Sequence, residues 1–234
     1  MILVTGGSEG IGFACARELL DRTTVSVLVT GRSQCKLAGA REALSGPARA
    51  RLATLVCDQA SASDVATLVS LIERTERIDA AILTVGVNPA YAEGPLRVHA
   101  LSLATIEQTI RTNCTHALQL TAALLDRFRR QRAGVLVWIG SQAQAVGLPG
   151  AGLYCATKSF LSGLARTAHH EYAARGIRVH LAHPGIVRTP RTAAVADEFA
   201  RRHGLHVAEA PQVARQVVDL LLDGNQAVVE VNLC

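Results

Sequence analysis

Residues 2–12 have the sequence ILVTGGSEGIG, a short apolar run that leads directly into a turn containing four glycines. The run predicts a strand buried on both faces, and the residues after it predict an amphipathic helix over 11–21. Glycines in such a turn let the backbone approach a pyrophosphate, and the helix N-terminus adds free N–H groups and a positive dipole end. A tight turn without a ligand is the alternative. The stretch indicates nucleotide binding, through Gly6, Ser8, Glu9, Gly10, Ile11 and Gly12.

Short runs rich in Val, Ile and Leu alternate with amphipathic segments along the rest of the chain. The predicted strands are 2–5, 25–30, 52–57, 80–85, 134–139, 179–182 and 227–231. The predicted helices are 11–21, 34–44, 62–76, 103–131, 152–175 and 211–222. This alternation predicts an α/β fold with a Rossmann-type, doubly wound parallel sheet and helices on both faces. We expect residues 1–234 to form a single dinucleotide-binding and catalytic domain, in which the irregular segment 186–210 is the substrate-binding loop.

The composition of the chain excludes several classes of protein. The 234 residues are 49% hydrophobic and 18% charged, which excludes a disordered chain. The net charge of +5 comes mainly from arginine, since only two of the 24 basic residues are lysines, and no motif supports nucleic-acid binding. The six cysteines form no C-x-x-C pair and lack histidines at zinc spacing, so we expect reduced thiols and no metal. Without a leader-like N-terminus or a long apolar run, we expect a cytoplasmic protein with no membrane contact.

The predicted second strand ends in VTGRS, residues 29–33. A cofactor with a free ribose 2′-hydroxyl favours an acidic residue at this point, and none is present. Arg32 stands there instead, and a guanidinium suits a 2′-phosphate, so the sequence favours NADP(H) over NAD(H). A solvated surface arginine is the alternative, and Glu9 does not help a 2′-phosphate. Asp58 ends the predicted third strand, where it can hold the adenine amino group or cap the helix that begins near Ser61.

Tyr154 and Lys158 are four residues apart in a predicted helix, so they share one face. Ser141 follows the predicted strand 134–139 and precedes Tyr154 by thirteen residues. A carbonyl that accepts a hydride needs a proton donor and a hydrogen-bond donor beside its oxygen. Lys158 would lower the pKa of Tyr154 as proton donor, Ser141 would orient the carbonyl, and Asn113 could hold a water that links Lys158 to solvent. A surface Tyr–Lys pair and an ordinary helix asparagine are the alternatives.

With these residues in place, the chain resembles the short-chain dehydrogenase/reductase family over nearly its whole length. The segments that carry the resemblance are TGGSEGIG (5–12), Asn113, Ser141, YCATK (154–158) and HPGIVRT (183–189). The resemblance implies a seven-stranded sheet in the order 3-2-1-4-5-6-7 and a Ser–Tyr–Lys–Asn tetrad. It also implies that Lys158 binds the nicotinamide ribose, and that further cofactor contacts come from Pro184, Gly185, Ile186 and Thr189.

The chain departs from the family pattern after its fourth predicted strand. Thr84-Val85-Gly86-Val87 stands where the family usually has Asn-Asn-Ala-Gly. Gly86 is kept, which allows close approach to the adenosine ribose, whereas Thr84 replaces the first asparagine, which would brace the central sheet. The segment from Val87 to Tyr91 leads into a connection longer than usual, which we expect to form one wall of the pocket.

The substrate pocket is predicted to contain both apolar and polar side chains, from Val87, Gln142, Val146, Leu148, Pro149 and Arg188. Its apolar share favours a lipophilic or polyketide-like carbonyl. Arg188 and Arg191 face either the pocket, where they would meet an anionic substrate, or the solvent. The arginines between Arg127 and Arg132 either complement a helix dipole or dock an acidic carrier protein. In relatives, the helices corresponding to 103–131 and 152–175 form the dimer face, so the resemblance implies a homodimer or homotetramer.

These observations together predict an NADPH-dependent oxidoreductase. Hydride would pass reversibly between the nicotinamide and a ketone or secondary alcohol, with Tyr154 as proton donor or acceptor. The substrate class favoured is a lipophilic or ketoacyl-like carbonyl, either free or bound to a carrier protein. The alternatives are an alcohol dehydrogenase that works in the oxidative direction and a regulatory protein that senses NADPH without turnover.

Overall fold

The computed structural model describes residues 1–203, 206–224 and 230–233. Nine strands occur among these residues: β1 (Ile2–Thr5), β2 (Val27–Gly31), β3 (Leu52–Val56), β4 (Ala80–Leu83), β5 (Gly134–Ile139), β6 (Ile177–Pro184), β7 (Ile186–Arg188), β8 (Val207–Glu209) and β9 (Glu230–Leu233). Of the predicted strand 227–231, residues 227–229 lie outside the described residues, as do 204 and 205 of the predicted loop 186–210.

Seven of the strands form one parallel sheet in the order β3-β2-β1-β4-β5-β6-β9. Val4 of β1 pairs with Val29 of β2 on one side and with Ile82 of β4 on the other, so β1 is central. This order confirms the predicted 3-2-1-4-5-6-7 arrangement. The seventh position is taken by the ninth strand of the chain, because β7 and β8 form a separate two-stranded parallel pair.

The helices are α1 (Gly10–Arg22), α2 (Gln34–Glu42), α3 (Gly46–Arg51), α4 (Ala62–Arg74), α5 (Ala90–Glu93), α6 (Leu103–Ile110), α7 (His116–Gln131), α8 (Ala143–Val146), α9 (Gly152–Tyr172), α10 (Ala193–His203) and α11 (Ala210–Leu222). The helix predicted over 103–131 is α6 and α7, joined by a π-helical turn at Arg111–Thr115. Part of the predicted loop 186–210 is also regular, since it contains β7, α10 and β8. No helix among the described residues is both long and apolar enough to span a bilayer.

The inner strands of the central sheet send alternate side chains into two separate apolar layers. Val4 and Ile82 pack in the layer that contains α1, α2 and α11. Leu3 and Leu136 pack in the opposite layer, with α4, α7 and α9. Because helices cover both faces, the strands need no polar alternation, which accounts for their continuous apolar sequences. The loops that follow β1, β2, β4, β5 and β6 meet at the carboxyl edge of the sheet, where ligands bind in folds of this kind.

Candidate active site

The glycine-rich turn joins β1 to the N-terminus of α1. Gly6 has φ of 65°, a backbone conformation that disfavours residues with a side chain. A Cβ atom on Gly12 would lie 2.4 Å from the carbonyl oxygen of Gly6. Glu9 precedes the helix, but its side chain makes no capping hydrogen bond to the first turn. Glycine at position 12 is therefore required for the close packing of the turn itself, and the first turn of α1 keeps N–H groups without a side-chain cap, which is a feature that suits a pyrophosphate.

The loop after β6 covers this turn from the other side. A Cβ atom on Gly10 would lie 3.4 Å from Thr189 Cβ, so Thr189 lies directly against the turn. Pro184 is buried, and its carbonyl oxygen accepts a hydrogen bond of 3.1 Å from the backbone N–H of Gln142. Gly185 and Ile186 continue the loop above the sheet edge. Thr189 and Gly10, which were both predicted to contact a nicotinamide cofactor, thus lie against one another.

The end of β2 carries the residues predicted to select the cofactor. Arg32 is exposed and has no carboxylate partner among the described residues. Lys36, in the first turn of α2, forms an ion pair of 2.7 Å with Glu9. The sequence analysis treated Glu9 as unfavourable for a 2′-phosphate and gave Lys36 no role. The ion pair with Lys36 neutralises the Glu9 carboxylate. The rarity of lysine in this chain was the only signal in the sequence for this contact.

Asp58, predicted to hold the adenine amino group or to cap a helix, lies two residues beyond the end of β3. Its Oδ1 atom accepts a hydrogen bond of 2.9 Å from the backbone N–H of Ala60. The cap of α4 is Ser61, whose hydroxyl accepts a hydrogen bond of 3.3 Å from the backbone N–H of Asp64. Asp58 therefore stabilises the turn before the helix and does not cap the helix itself.

Thr84 connects the carboxyl ends of β1 and β4. Its hydroxyl donates to the carbonyl oxygen of Thr5 at 2.6 Å, and its backbone N–H donates to the Thr5 hydroxyl at 3.2 Å. The brace that the family pattern assigns to an asparagine is therefore supplied by two threonines. Two residues later, a Cβ atom on Gly86 would lie 3.0 Å from Lys158 Nζ, so a larger residue there would have to displace the ammonium slightly.

The structure brings Tyr154, Lys158 and Ser141 together where β5 ends and α9 begins. Lys158 Nζ lies 5.6 Å from the centroid of the Tyr154 ring. The same ammonium donates a hydrogen bond of 2.8 Å to the carbonyl oxygen of Ile139, the last residue of β5. The hydroxyl of Ser141 lies close enough to the phenol of Tyr154 to lower the pKa of Tyr154. The phenol, a hydroxyl and an ammonium thus surround one point at the sheet edge.

Burial dominates the proton affinities of this cluster. It raises the pKa of Tyr154 to about 12, against the lowering effects of the Ser141 hydrogen bond and the Arg191 charge. It also lowers the pKa of Lys158 from 10.5 to about 8. The sequence argument expected Lys158 to lower the pKa of Tyr154. The net shift has the opposite direction, because burial of the phenol outweighs the groups that lower its pKa.

Asn113 lies in the π-helical turn between α6 and α7. Its side-chain oxygen accepts a hydrogen bond of 2.8 Å from the backbone N–H of Val87, and its amide donates to the Val87 oxygen at 2.8 Å. The amide also donates to the Thr157 hydroxyl at 3.0 Å, on the helix that carries Lys158. In this structure the side chain therefore joins the loop after β4 to α9. The water-holding role predicted for Asn113 is not served by these side-chain bonds.

The loop that carries Ser141 is held by a buried polar network that the sequence analysis did not identify. The backbone N–H of Ser141 donates to His183 Nδ1 at 3.2 Å, so the ring proton lies on Nε2. His183 Nε2 lies 3.0 Å from a carboxylate oxygen of Glu230, which also pairs with Arg166 at 2.6 Å. His183 is 1% exposed, so the ring is fixed between its two partners. The only signal for this network in the sequence was the position of His183 directly before Pro184.

The predicted substrate-pocket residues lie around this cluster at different depths. Gln142 donates a hydrogen bond of 3.1 Å to the carbonyl oxygen of Leu233, and Leu148 is partly buried. Val146 is 67% exposed and Pro149 is also exposed, so both belong to the rim. Val87 is fixed by Asn113, as described above.

The connection after Val87 forms the wall opposite the rim. Its Leu96 donates a backbone hydrogen bond of 2.8 Å to Gly150 and forms a parallel bridge with Ala151. Tyr91 lies close enough to Tyr154 for the charge of its phenolate to affect the pKa of Tyr154. The Tyr91 hydroxyl also forms a hydrogen bond with the side chain of Asn88.

The two arginines after β6 have different environments. Arg188 pairs with both carboxylate oxygens of Asp197 at 2.6 Å and with Glu209 at 2.9 Å. These ion pairs hold β7 to α10 and β8, so we do not retain Arg188 as a candidate pocket residue. Arg191 instead donates a hydrogen bond of 2.9 Å to the carbonyl oxygen of Gly86.

The arginines at the end of α7 are largely engaged within the chain. Arg127 donates to the carbonyl oxygens of Glu73 and Glu76 at the end of α4. Arg129 and Arg130 both pair with Asp126, at 2.7 and 2.5 Å. These contacts fit the role of helix-end cations. No three His, Cys, Asp or Glu side chains in the described part of the chain are grouped closely enough to hold a metal ion.

A groove of about 610 Å³ lies on the outer surface between α7 and α9. Its lining is mainly apolar and includes three exposed side chains: Ile110, Leu118 and Phe160. This is the face that the sequence analysis assigned to self-association.

Comparison with known proteins agrees with this geometry. A family model described as short chain dehydrogenase matches residues 1–199. The 3-oxoacyl-[acyl-carrier-protein] reductase FabG of Haemophilus influenzae is 32% identical over 231 residues, which cover 94% of this chain and 90% of the relative. The 2,3-dihydro-2,3-dihydroxybenzoate dehydrogenase of Escherichia coli is 32% identical over 203 residues, which cover 84% of this chain and 74% of the relative.

Solved structures share the fold over almost the whole chain. A short chain dehydrogenase/reductase family protein has a TM-score of 0.87 and 26% identity, covering 99% of this chain and 94% of that one. A short-chain dehydrogenase from Sphingobium yanoikuyae in complex with NADPH has a TM-score of 0.79 and 23% identity, covering 99% and 86%. At that lower identity the likeness shows the fold alone.

Proposed function

The chain belongs to the short-chain dehydrogenase family of oxidoreductases, and from this premise we propose that it is an NADPH-dependent carbonyl reductase with Tyr154 as its acid. The observation that carries the proposal is the meeting of Ser141, Tyr154 and Lys158 beside the glycine-rich turn. When bound in this cleft, the cofactor supplies the hydride that reduces the carbonyl carbon. The residues of the chain manage the charge and the proton at the carbonyl oxygen.

Each residue of the cluster has a separate part in this chemistry. The carbonyl oxygen becomes negative as the carbon is reduced, and the phenol of Tyr154 donates the proton that neutralises it. The Ser141 hydroxyl, which is close enough to that phenol to lower its pKa, would donate to the same oxygen. Lys158, with a pKa of about 8, is mostly protonated at neutral pH, so its ammonium stabilises the phenolate left behind. The same ammonium is available to the nicotinamide ribose.

NADP(H) is the proposed cofactor because of the charges at the end of β2. Arg32 is exposed and has no carboxylate partner in the described chain, and a guanidinium binds phosphate through two parallel hydrogen bonds. The ion pair of Glu9 with Lys36 removes the negative charge that would repel a 2′-phosphate. The proposal therefore predicts a preference for NADPH over NADH that weakens when Arg32 is removed.

The proposed substrate is a ketone with an apolar portion. Val146 and Leu148 give the cleft an apolar rim, and similarity to a 3-oxoacyl-[acyl-carrier-protein] reductase supports a ketoacyl-like group. The pairing of Arg129 and Arg130 with Asp126 gives no support to a carrier-protein dock on α7. The second candidate is an alcohol dehydrogenase that works in the oxidative direction. The name of the 2,3-dihydro-2,3-dihydroxybenzoate dehydrogenase favours it, since that relative is named for oxidation of a diol.

We also propose that the enzyme is a homodimer or homotetramer in the cytoplasm. The apolar groove between α7 and α9, with Phe160 at its edge, supports self-association through this face. The free thiols support a reducing compartment, at Cys15, Cys35, Cys57, Cys114 and Cys155. Sedimentation at low-micromolar concentration distinguishes a dimer or tetramer from a monomer.

The experiment that tests the proposed function is turnover with a panel of ketones and secondary alcohols, each with NADPH or NADP⁺ and with NADH or NAD⁺. We expect alcohol to appear in equal amount to the NADPH consumed for at least one ketone. Faster reaction with alcohols and NADP⁺ at neutral pH would favour the oxidative candidate. Tight NADPH binding without turnover of any compound, together with a stable protein partner, would replace the proposal with a cofactor-sensing regulator.

A further inference from the structure

Arg191 is a candidate residue to which the proposed chemistry gives no part. It lies on the loop between β7 and α10 and donates its hydrogen bond to the carbonyl oxygen of Gly86 at 2.9 Å. The two residues are 105 positions apart in sequence. The contact therefore fixes the guanidinium between the loop after β6 and the loop after β4.

This position is next to the reacting groups. A Cβ atom on Gly86 would lie only 3.0 Å from Lys158 Nζ, so the residue that Arg191 holds is in contact with the catalytic ammonium. The charge of Arg191 also acts on Tyr154, whose pKa burial raises and Arg191 lowers. Tyr91 responds in the same way, since burial raises its pKa and Arg191 lowers it. The guanidinium thus lies near enough to both phenols for its charge to act on them.

The charge of Arg191 lacks a counterion in the described chain. No carboxylate there pairs with it, whereas Arg188, three residues earlier, pairs with Asp197 and Glu209. A guanidinium has five N–H donors, and the backbone carbonyl of Gly86 uses one of them. A cation placed at a cleft with its fork still open is suited to a bidentate anion.

We propose that Arg191 binds a carboxylate of the substrate, which makes the substrate class oxo acids or the corresponding hydroxy acids. This inference rests on the proposed function and narrows it, because the apolar rim then takes the rest of the molecule. The carboxylate lies within a few bonds of the carbonyl, since Gly86 joins Arg191 to the neighbourhood of Lys158 and Tyr154. Tyr91 and Asn88, on the same wall, offer neutral hydrogen bonds to the same group.

The anion in question could also come from the cofactor, and the geometry favours the substrate. The cofactor pyrophosphate has its own site at the glycine turn, where Thr189 lies against Gly10. Arg191 instead contacts Gly86, on the side of the cleft where Lys158 lies. A pyrophosphate contact would make Arg191 a determinant of cofactor affinity, which the experiment measures separately.

The experiment compares oxo acids with their own methyl esters, for example 3-oxo, 4-oxo and 5-oxo acids of equal chain length, in NADPH-dependent reduction. We expect the protein to prefer the acid over the ester by about ten- to a hundredfold in kcat/KM, as a charge-assisted bidentate contact predicts. Arg191→Gln should remove this preference, because the rate with the acid should fall about ten- to a hundredfold further than the rate with the ester. Arg191→Lys should keep part of it, since the charge remains and the fork is lost.

A matched control and a binding measurement complete the test. Arg97→Gln removes one positive charge from an exposed position on the same wall and should leave the acid preference unchanged. Binding of the acid to the protein with NADP⁺, measured by calorimetry, should weaken at least tenfold in Arg191→Gln, while the affinity for NADPH stays within twofold.

The outcomes separate this inference from the proposed function. If no acid or ester is reduced, the proposed function fails. If esters are reduced as well as acids, or if Arg191→Gln slows both equally, the carboxylate site is wrong and the reductase stands. If Arg191→Gln weakens NADPH binding tenfold and leaves the acid preference, the guanidinium serves the cofactor, and the inference is likewise overturned.

Discussion

Lys158 places a positive charge in the interior, which should lower the free energy of unfolding. The residue is 4% exposed, and its ammonium has one hydrogen bond among the described residues, to Ile139. Burial lowers the pKa of Lys158 from 10.5 to about 8. Each unit of pKa shift corresponds to about 1.4 kcal/mol, so keeping the charged form folded costs about 3 kcal/mol below pH 8.

The sign of the pH dependence follows from this direction. Below pH 8 the lysine is protonated in both the folded and the unfolded states, so the full penalty applies. Between pH 8 and pH 10.5 the folded protein releases the proton and the unfolded chain keeps it. Stability therefore rises with pH in this window, and the contribution from Lys158 between pH 7 and pH 9.5 is about 2 kcal/mol.

The perturbation that isolates this contribution is Lys158→Met, which keeps the length of the side chain and removes the titrating group. Between pH 7 and pH 9.5, we expect the free energy of unfolding of the wild type to rise by about 2 kcal/mol more than that of Lys158→Met. The absolute difference at pH 7 is smaller than the full penalty, because the variant leaves the Ile139 oxygen without its donor, which costs about 1–3 kcal/mol.

Urea unfolding of the cofactor-free protein at both pH values, with Lys36→Met as the control, measures this change. Lys36 is exposed and should leave the difference in stability between pH 7 and pH 9.5 as it is in the wild type. Equal pH dependence of the wild type and Lys158→Met would refute the reasoning, because it would mean that the buried ammonium keeps its ordinary pKa.

Three further variants test other parts of the structure. His183→Leu should lower the free energy of unfolding by about 1–3 kcal/mol and reduce kcat more than it changes KM, because the Ser141 N–H loses its acceptor. His183→Asn should restore much of kcat in the same assay, because its side-chain oxygen can replace Nδ1. Gly12→Ala should abolish NADPH binding measured by fluorescence, because its Cβ would lie 2.4 Å from the Gly6 oxygen; retained binding would contradict the cofactor cleft. Phe160→Glu should shift the protein towards the monomer in sedimentation, and an unchanged oligomer would exclude the groove as the interface.

The sequence was sufficient for the central sheet because each strand is covered by helices on both faces. Under that condition a strand is a continuous apolar run, such as the one at Ile2–Thr5, and it can be located without knowledge of its neighbours. The β7–β8 pair was missed because each strand has three residues and they pair across α10. The π-helical turn at Arg111–Thr115 was missed because the residues in it keep the helical pattern on both sides.

Some residues of the candidate site could also be recognised from the sequence, and others could not. Tyr154 and Lys158 could be recognised because helix geometry relates positions four apart. Arg188 and Arg191 could not be distinguished from the sequence, since both follow the same Pro-Gly turn. Only the fold shows that Arg188 pairs with Asp197 and Glu209. It also shows that Arg191 donates to Gly86.

The pKa of Tyr154 was likewise beyond the sequence. The spacing from Lys158 gives the distance to a charge but not the extent to which the phenol is removed from water. The groups that act on this pKa besides burial come from separate parts of the chain: Ser141 lowers it and Tyr91 raises it.

The central claim is that Tyr154 supplies the proton when the carbonyl is reduced. The measurement that tests it most directly is the single-turnover rate of Tyr154→Phe with saturating NADPH and the best ketone of the panel. Tyr172→Phe, at the far end of the same helix, is the matched control. We predict unchanged NADPH binding and a rate about 10²–10⁴-fold below that of the wild type for Tyr154→Phe, and a wild-type rate for Tyr172→Phe. A Tyr154→Phe rate within about threefold of the wild type, well outside the range for loss of a general acid, would contradict the account.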